Sequence, residues 1–212
     1  MNNYNIVEKG IIVLGEKVMV SDPCYGLETW CQGVIENVLR GEYVCKVGYS
    51  DEDEYGARVA DIEVIHKSFS GKFLEYYPEE FEVGVDSGQA GIFDYEYYKK
   101  YHKDRNEHEH VDEDWYYRVC RLTYTRKKNP YYKEFNDWDD KEFFKKYEEY
   151  MYNTKINSSY LEKNDGNVID NLGIVSSSGY GDGGYVCWTA HNNEGKVVGI
   201  RVEFITEDED DE

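Results

Sequence analysis

Proline is scarce, with three residues in 212, and the longest clean apolar run is the four-residue stretch Ile11–Leu14. A membrane-crossing helix needs about 20 apolar residues in succession, so none is expected. Met1–Asn5 carry no basic n-region and lead into no long apolar h-region, so no signal peptide is expected. Positive charge is also in short supply: 24 Lys and Arg stand against 44 Asp and Glu, a net charge of −20. Phosphate backbones bind proteins whose Lys and Arg displace counterions. Direct nucleic-acid binding and adhesion to an anionic membrane are therefore excluded as expectations. The five cysteines (Cys24, Cys31, Cys45, Cys120 and Cys187) are odd in number and contain no C-x-x-C pair. Paired Cys/His spacing for zinc is missing. The pattern suits free, mostly buried thiols in a reducing, cytoplasmic compartment.

Apolar residues make up 40% of the chain, enough for one core, and the length suits one domain with a large insertion. Charge divides the sequence into three. Residues 1–94 carry a net −11, residues 95–165 only −1, and residues 166–212 −8. The middle stretch also holds 13 of the 22 tyrosines. Residues 1–94 and 166–205 are accordingly read as one discontinuous β-rich domain, and 95–165 as a helical, Tyr-rich insertion. Residues 206–212 contain six acids in seven positions, a self-repelling block read as a disordered acidic tail. Without it the body still carries −14.

Both outer parts read as β. Lys17–Val20 is a short strand ended by Ser21-Asp22-Pro23. Glu42–Tyr49 alternates, with Tyr43, Cys45, Val47 and Tyr49 on one face. Arg58–His66 alternates with Ala60, Ile62 and Val64 inward and Asp61 and Glu63 outward. Phe81–Val85 is a further strand. Tyr185–His191 and Lys196–Phe204 flank Asn192-Asn193-Glu194-Gly195, a hairpin signature with Gly at the tight position. Tyr95–His102 reads as a short helix. Asp139 and Glu142 open another, with Phe143, Phe144, Tyr147 and Met151 on one face. The fold class is α+β, mostly β: an antiparallel β-sandwich or open barrel with a helical insertion.

Four segments hold residues suited to chemistry. Ser21–Gly26 reads first as a turn with Asp22 bonding local amides and Cys24 filling core. The functional alternative makes Asp22 a ligand contact and Cys24 a nucleophile, which needs a base such as His66 or His191. Gly84–Asp94 places Asp86, Ser87 and Asp94 around a small-residue turn whose glycines admit a ligand or a neighbouring strand. Ser176–Tyr185, with Tyr180, Asp182 and Tyr185, is glycine-rich but is no phosphate-binding loop, since no Lys-Ser/Thr follows. Asp22, Asp86 and Asp182 are together the candidate ligands for a divalent cation, the one cofactor considered. The run His102–His110 reads as a charged, solvated loop.

Asp22-Pro23-Cys24, Gly41-Glu42-Tyr43, Arg58-Val59-Ala60, Val85–Gly88 with Asp94, Ser177–Gly183 with Tyr185, Gly195 and Val202-Glu203-Phe204 follow one another in a characteristic order. In that order the chain resembles the bacterial and phage family catalogued as domain of unknown function four-two-four-one, over residues 15–94 and 167–205. Members commonly carry Gly-Asp-Gly-Val-Tyr at the third glycine motif, and here Gly184 replaces the Val. The resemblance implies one mostly-β domain, often from phage or mobile-element neighbourhoods, and no particular reaction.

Two functions follow as expectations. The first is an acidic, phage-type accessory protein in the host cytoplasm. It binds and inhibits a basic host factor, a defence or nucleic-acid enzyme, through its negative field and an aromatic patch. Trp115, Tyr116, Tyr117, Tyr131, Tyr132 and Trp138 are the candidate anchors, with core packing of these rings as the alternative. The second is a small-ligand or metal-dependent nucleotide binder or hydrolase built on the Asp loops. No catalytic residue is assigned, and the preference is for a non-enzyme.

Overall fold

The computed structural model describes residues 4–51, 57–102, 115, 119 and 166–206. Eleven strands form two antiparallel sheets. The first sheet contains β1 (Asn5–Leu14), β4 (Gly41–Asp51), β5 (Ala57–His66), β11 (Val197–Glu203), β10 (Gly183–His191) and β6 (Tyr76–Val85), in that order. The second runs β3 (Gly33–Ile35), β2 (Val18–Ser21), β7 (Gln89–Asp94), β9 (Gly173–Ser177) and β8 (Gly166–Ile169). Strands from both ends of the chain share each sheet: β11 pairs with β5, β10 with β6 and β9 with β7. The sheets do not close into a barrel. Their edges are joined at two corners, where the Val13 amide donates to the Asn171 carbonyl at 2.7 Å and the Gly84 amide to Cys31 at 3.0 Å.

The period-two pattern explains the core between the sheets. Tyr43, Cys45 and Val47 of β4 point inward against Val18, Val20, Ile92 and Ile174 of the second sheet. The same alternation places Ile62 and Val64 of β5 inside. Ala60, expected inside with them, is buried but lies outside this inter-sheet cluster, which Val59 joins instead. The cause is a register shift: Gly48 faces Asp61 but Tyr49 faces Val59, so one extra residue of β5 flips the alternation. Asp61 does lie on the outer face, but it is only 4% exposed because Tyr4 covers it and donates its hydroxyl to the carboxylate. The terminal hairpin turns at Asn192–Gly195, with Gly195 at φ 75° and its amide donating to the Asn192 carbonyl at 2.9 Å.

The central strands β2, β7 and β9 of the second sheet are buried on both faces, so their burial does not alternate. On its outer face Met19, Phe93 and Val175 pack under α1 (Tyr95–Tyr101) together with Trp115 and Val119 of the middle segment. Gly91 and Gly173 make room for the Phe93 ring: a Cβ on Gly91 would lie 2.3 Å from that ring and 2.8 Å from the Ile174 carbonyl. Because one obstacle is backbone, Gly91→Ala is expected to cost about 2 kcal/mol. Chemical denaturation against the wild type measures it, and a loss under about 0.5 kcal/mol contradicts this packing.

The strands expected at 42–49 and 81–85 are present as longer strands, the one expected at 17–20 runs from Val18 to Ser21, and the helix expected at 95–102 ends at Tyr101. Among the described residues, no helix is long and apolar enough to cross a membrane. The helix expected from Asp139, the acidic tail after Thr206, and Cys120, Tyr116, Tyr117, Tyr131, Tyr132 and Trp138 lie outside the described residues.

Candidate functional site

Three connections converge at one end of the two sheets: the long loop 22–32 after β2, the turn 86–88 between β6 and β7, and the turn 178–182 between β9 and β10. Asp22 joins the first two. Its Oδ1 accepts from the Cys24 amide at 2.8 Å and the Ser87 hydroxyl at 2.8 Å. Its Oδ2 accepts from the Asp86 amide at 3.0 Å and the Ser87 amide at 2.8 Å. The side chain is fully buried. Burial disfavours the carboxylate more than the four donors favour it, and its pKa is pushed up to about 6. Gly88 ties in the third connection by accepting from the Ser178 amide at 3.1 Å.

A second tether reaches loop 22–32 from the aromatic layer. The Tyr98 hydroxyl donates to the Tyr25 carbonyl at 2.7 Å. The Trp115 indole N–H donates to the Pro23 carbonyl at 2.8 Å, and His102 Nε2 lies 3.1 Å from the same oxygen. His102 stacks on Tyr98 at 3.7 Å. It is buried, so it does not belong to the solvated loop expected from His102–His110; helix α1 carries it inward over the second sheet. Trp115 likewise departs from its expected role as a partner-facing anchor. It is 0% exposed and touches Phe93, Tyr97, Tyr98 and Tyr101, so its ring is spent on packing.

Loop 22–32, the end of β6 with Asp86, and the start of β10 line an open cleft of about 550 Å³. Tyr25 and Trp30 supply its aromatic surface, Glu82 and Asp86 its charges, and Gly183 and Gly184 a stretch of bare backbone. Trp30 is 83% exposed. The Tyr25 hydroxyl donates to Asp86 Oδ2 at 2.7 Å and holds that carboxylate in place. Among the described residues, no lysine, arginine or histidine lines the cleft. Cys24 and Cys31 are both buried and both lie along its wall, and burial pushes the Cys31 thiol up. Neither His66 nor His191 is part of the lining, so the geometry gives Cys24 no base from the two histidines considered for it.

The sequence candidates therefore separate. Cys24 and Asp86 line the cleft, while Asp22 and Ser87 brace it from below. Asp182, exposed, precedes the lining residue Gly183. Tyr185 packs on Phe204 and its hydroxyl meets the Ser178 and Gly181 carbonyls, closing its own turn. Tyr180 is exposed beside the Arg58 guanidinium, 5.7 Å from its ring. Asp94 sits at the other end of β7, where it caps α1 by accepting from the Tyr97 amide at 3.1 Å and also accepts from Gly15 at 2.9 Å. Among the described residues, no group of three or more His, Cys, Asp and Glu is placed to hold a metal ion. The expected trio of Asp22, Asp86 and Asp182 is not such a group: both oxygens of Asp22 already face protein donors, and Asp182 points to solvent. A phosphate in the cleft would meet two carboxylates with no cation between.

Tyr25, Trp30 and Glu82 were not among the sequence candidates. One signal for Glu82 was available, since Glu82-x-Gly84-x-Asp86 has strand period and puts two carboxylates on one side with no side chain between them. Trp30 has no periodic context at all.

A family model described as "Protein of unknown function (DUF4241)" matches residues 70–202. The matched span starts later than the motif resemblance did and runs through the middle segment. No curated protein and no solved structure matches the chain.

Proposed function

We propose, from the premise that the chain belongs to the DUF4241 family, that it is an acidic binding protein whose cleft at Trp30, Glu82 and Asp86 holds a positively charged segment of a partner protein. The observation that carries this reading is the cleft's charge. Among the described residues, the acidic side chains Glu82 and Asp86 line it and no basic side chain does, in a chain of net charge −20. Such a field speeds encounter with basic surfaces and repels acidic ones. The exposed indole supplies contact area of the kind that dominates binding energy at interfaces. The phage setting that the family resemblance implies makes a basic host protein, such as a defence or nucleic-acid enzyme, the first partner class to test. Occupying its basic face would block nucleic acid from it.

The test is affinity capture from host lysate at low and at high salt, with the wild type and with Glu82→Gln/Asp86→Asn. Both carboxylates are exposed, so this pair leaves the fold intact. Basic proteins are expected on the wild type at low salt, with about tenfold less on the double variant and little on either protein at salt well above the physiological range. Capture indifferent to both salt and the substitutions rejects the reading.

A further inference from the structure

The cleft narrows the cation beyond its sign, and we infer that it is an arginine pocket: it takes the guanidinium of an arginine presented by a short extended segment, stacked on Trp30 and paired with Asp86 and Glu82. This inference rests on the binding function proposed above and names the group recognised. Three observations carry it. The first is the indole. Trp30 is 83% exposed at the edge of a cleft, and a planar guanidinium stacks on such a ring while a compact ammonium meets it only as a point charge. The second is the arrangement of the acceptors. The Tyr25 hydroxyl fixes the Asp86 carboxylate at 2.7 Å. Glu82 stands further along β6, with its carboxylate beside Gly184, and the Cys31 side chain covers Gly84 between the two acids. An acceptor held in a set direction, as Asp86 is, favours the rigid fork of arginine N–H donors over a freely rotating ammonium, and Glu82 adds a second carboxylate on the same wall.

The third is the rest of the wall. Cys24, Cys31 and Val85 carry no charge there, and Gly183 and Gly184 expose backbone. A weakly hydrated guanidinium loses less water than an ammonium on entering such a surface. The volume of about 550 Å³ exceeds one side chain, so residues flanking the arginine enter with it. Asp182, exposed beside Gly183, is placed to meet a second basic residue of the same segment.

The experiment compares hexa-arginine with hexa-lysine, which carry equal charge, by calorimetric titration of the full chain at low salt. Hexa-arginine is expected to bind about tenfold more tightly. Trp30→Ala, harmless to folding at so exposed a position, is expected to bring hexa-arginine down to the hexa-lysine affinity and to leave hexa-lysine unchanged. Trp30→Phe, which keeps a ring, is expected to restore part of the preference. Equal binding of the two peptides, weakened by Glu82→Gln, overturns the arginine pocket and leaves the acidic binding function standing. Binding of neither peptide overturns both. An arginine preference that persists in Trp30→Ala overturns the stacking role.

Discussion

Asp22→Ala is expected to destabilise the protein by about 3 kcal/mol, a fall in Tm of about 10 °C for a chain of this size. The substitution removes the acceptor for three main-chain amides, of Cys24, Asp86 and Ser87, and for the Ser87 hydroxyl. The space left is fully buried, so water does not replace the carboxylate freely. Relief of the buried charge offsets part of the loss, which holds the figure below the full sum of orphaned donors. Thermal melts measure it. A loss under about 1 kcal/mol contradicts the bracing role.

The pH dependence supplies an independent check with a definite sign. The Asp22 carboxyl titrates at 3.8 in its ordinary environment and at about 6 in the fold. Between those values the folded protein holds a proton that the unfolded chain has released. Stability therefore falls as pH rises from about 4 to about 6 and is level above that. Asp61 is also pushed up by burial and acts in the same direction. It is present in both the wild type and Asp22→Asn, so the difference between their curves isolates Asp22. The wild type is expected to exceed Asp22→Asn by a wider margin at pH 4 than at pH 7. Parallel curves refute the assignment.

Trp115→Ala is expected to cost about 4 kcal/mol, in the range for removing a large ring from a packed interior. The side chain is fully buried against Phe93, Tyr97, Tyr98 and Tyr101 on the outer face of the second sheet. Denaturant titration reads the loss, and a value near zero would mean that Trp115 does not pack over that sheet. Trp115→Phe retains most of the packing but not the 2.8 Å hydrogen bond to the Pro23 carbonyl. It is expected to cost about 1–2 kcal/mol and to weaken hexa-arginine binding, because Pro23 directly precedes Cys24 and Tyr25 in the cleft wall. Trp115 therefore matters to the cleft without being among its lining residues.

The strand framework was readable because its determinants are local. Alternating Tyr43, Cys45 and Val47 and the Asn192–Gly195 turn each act through neighbours within a few residues. The pattern failed at Ala60, where a register shift set by pairing with β4 decided which face pointed inward. It also failed to distinguish a carboxylate that braces from one that binds. Asp22 and Asp86 both sit beside turn-forming residues, and only the approach of loops 64 residues apart makes the first an internal acceptor and the second a cleft residue.

By itself the amino-acid order determined the strand alternation, the tight turns, the excess of negative charge and the kinship with one family, since each is a property of neighbouring residues or of a sum over all of them. The three-dimensional arrangement decided that Trp115 and His102 serve the interior, that Asp94 caps a helix away from the cleft, and that Trp30 lines one cleft with Glu82 and Asp86. Those outcomes depend on which strands become neighbours, and that is settled by burying both faces of the second sheet at once, a condition that no single stretch of the chain contains.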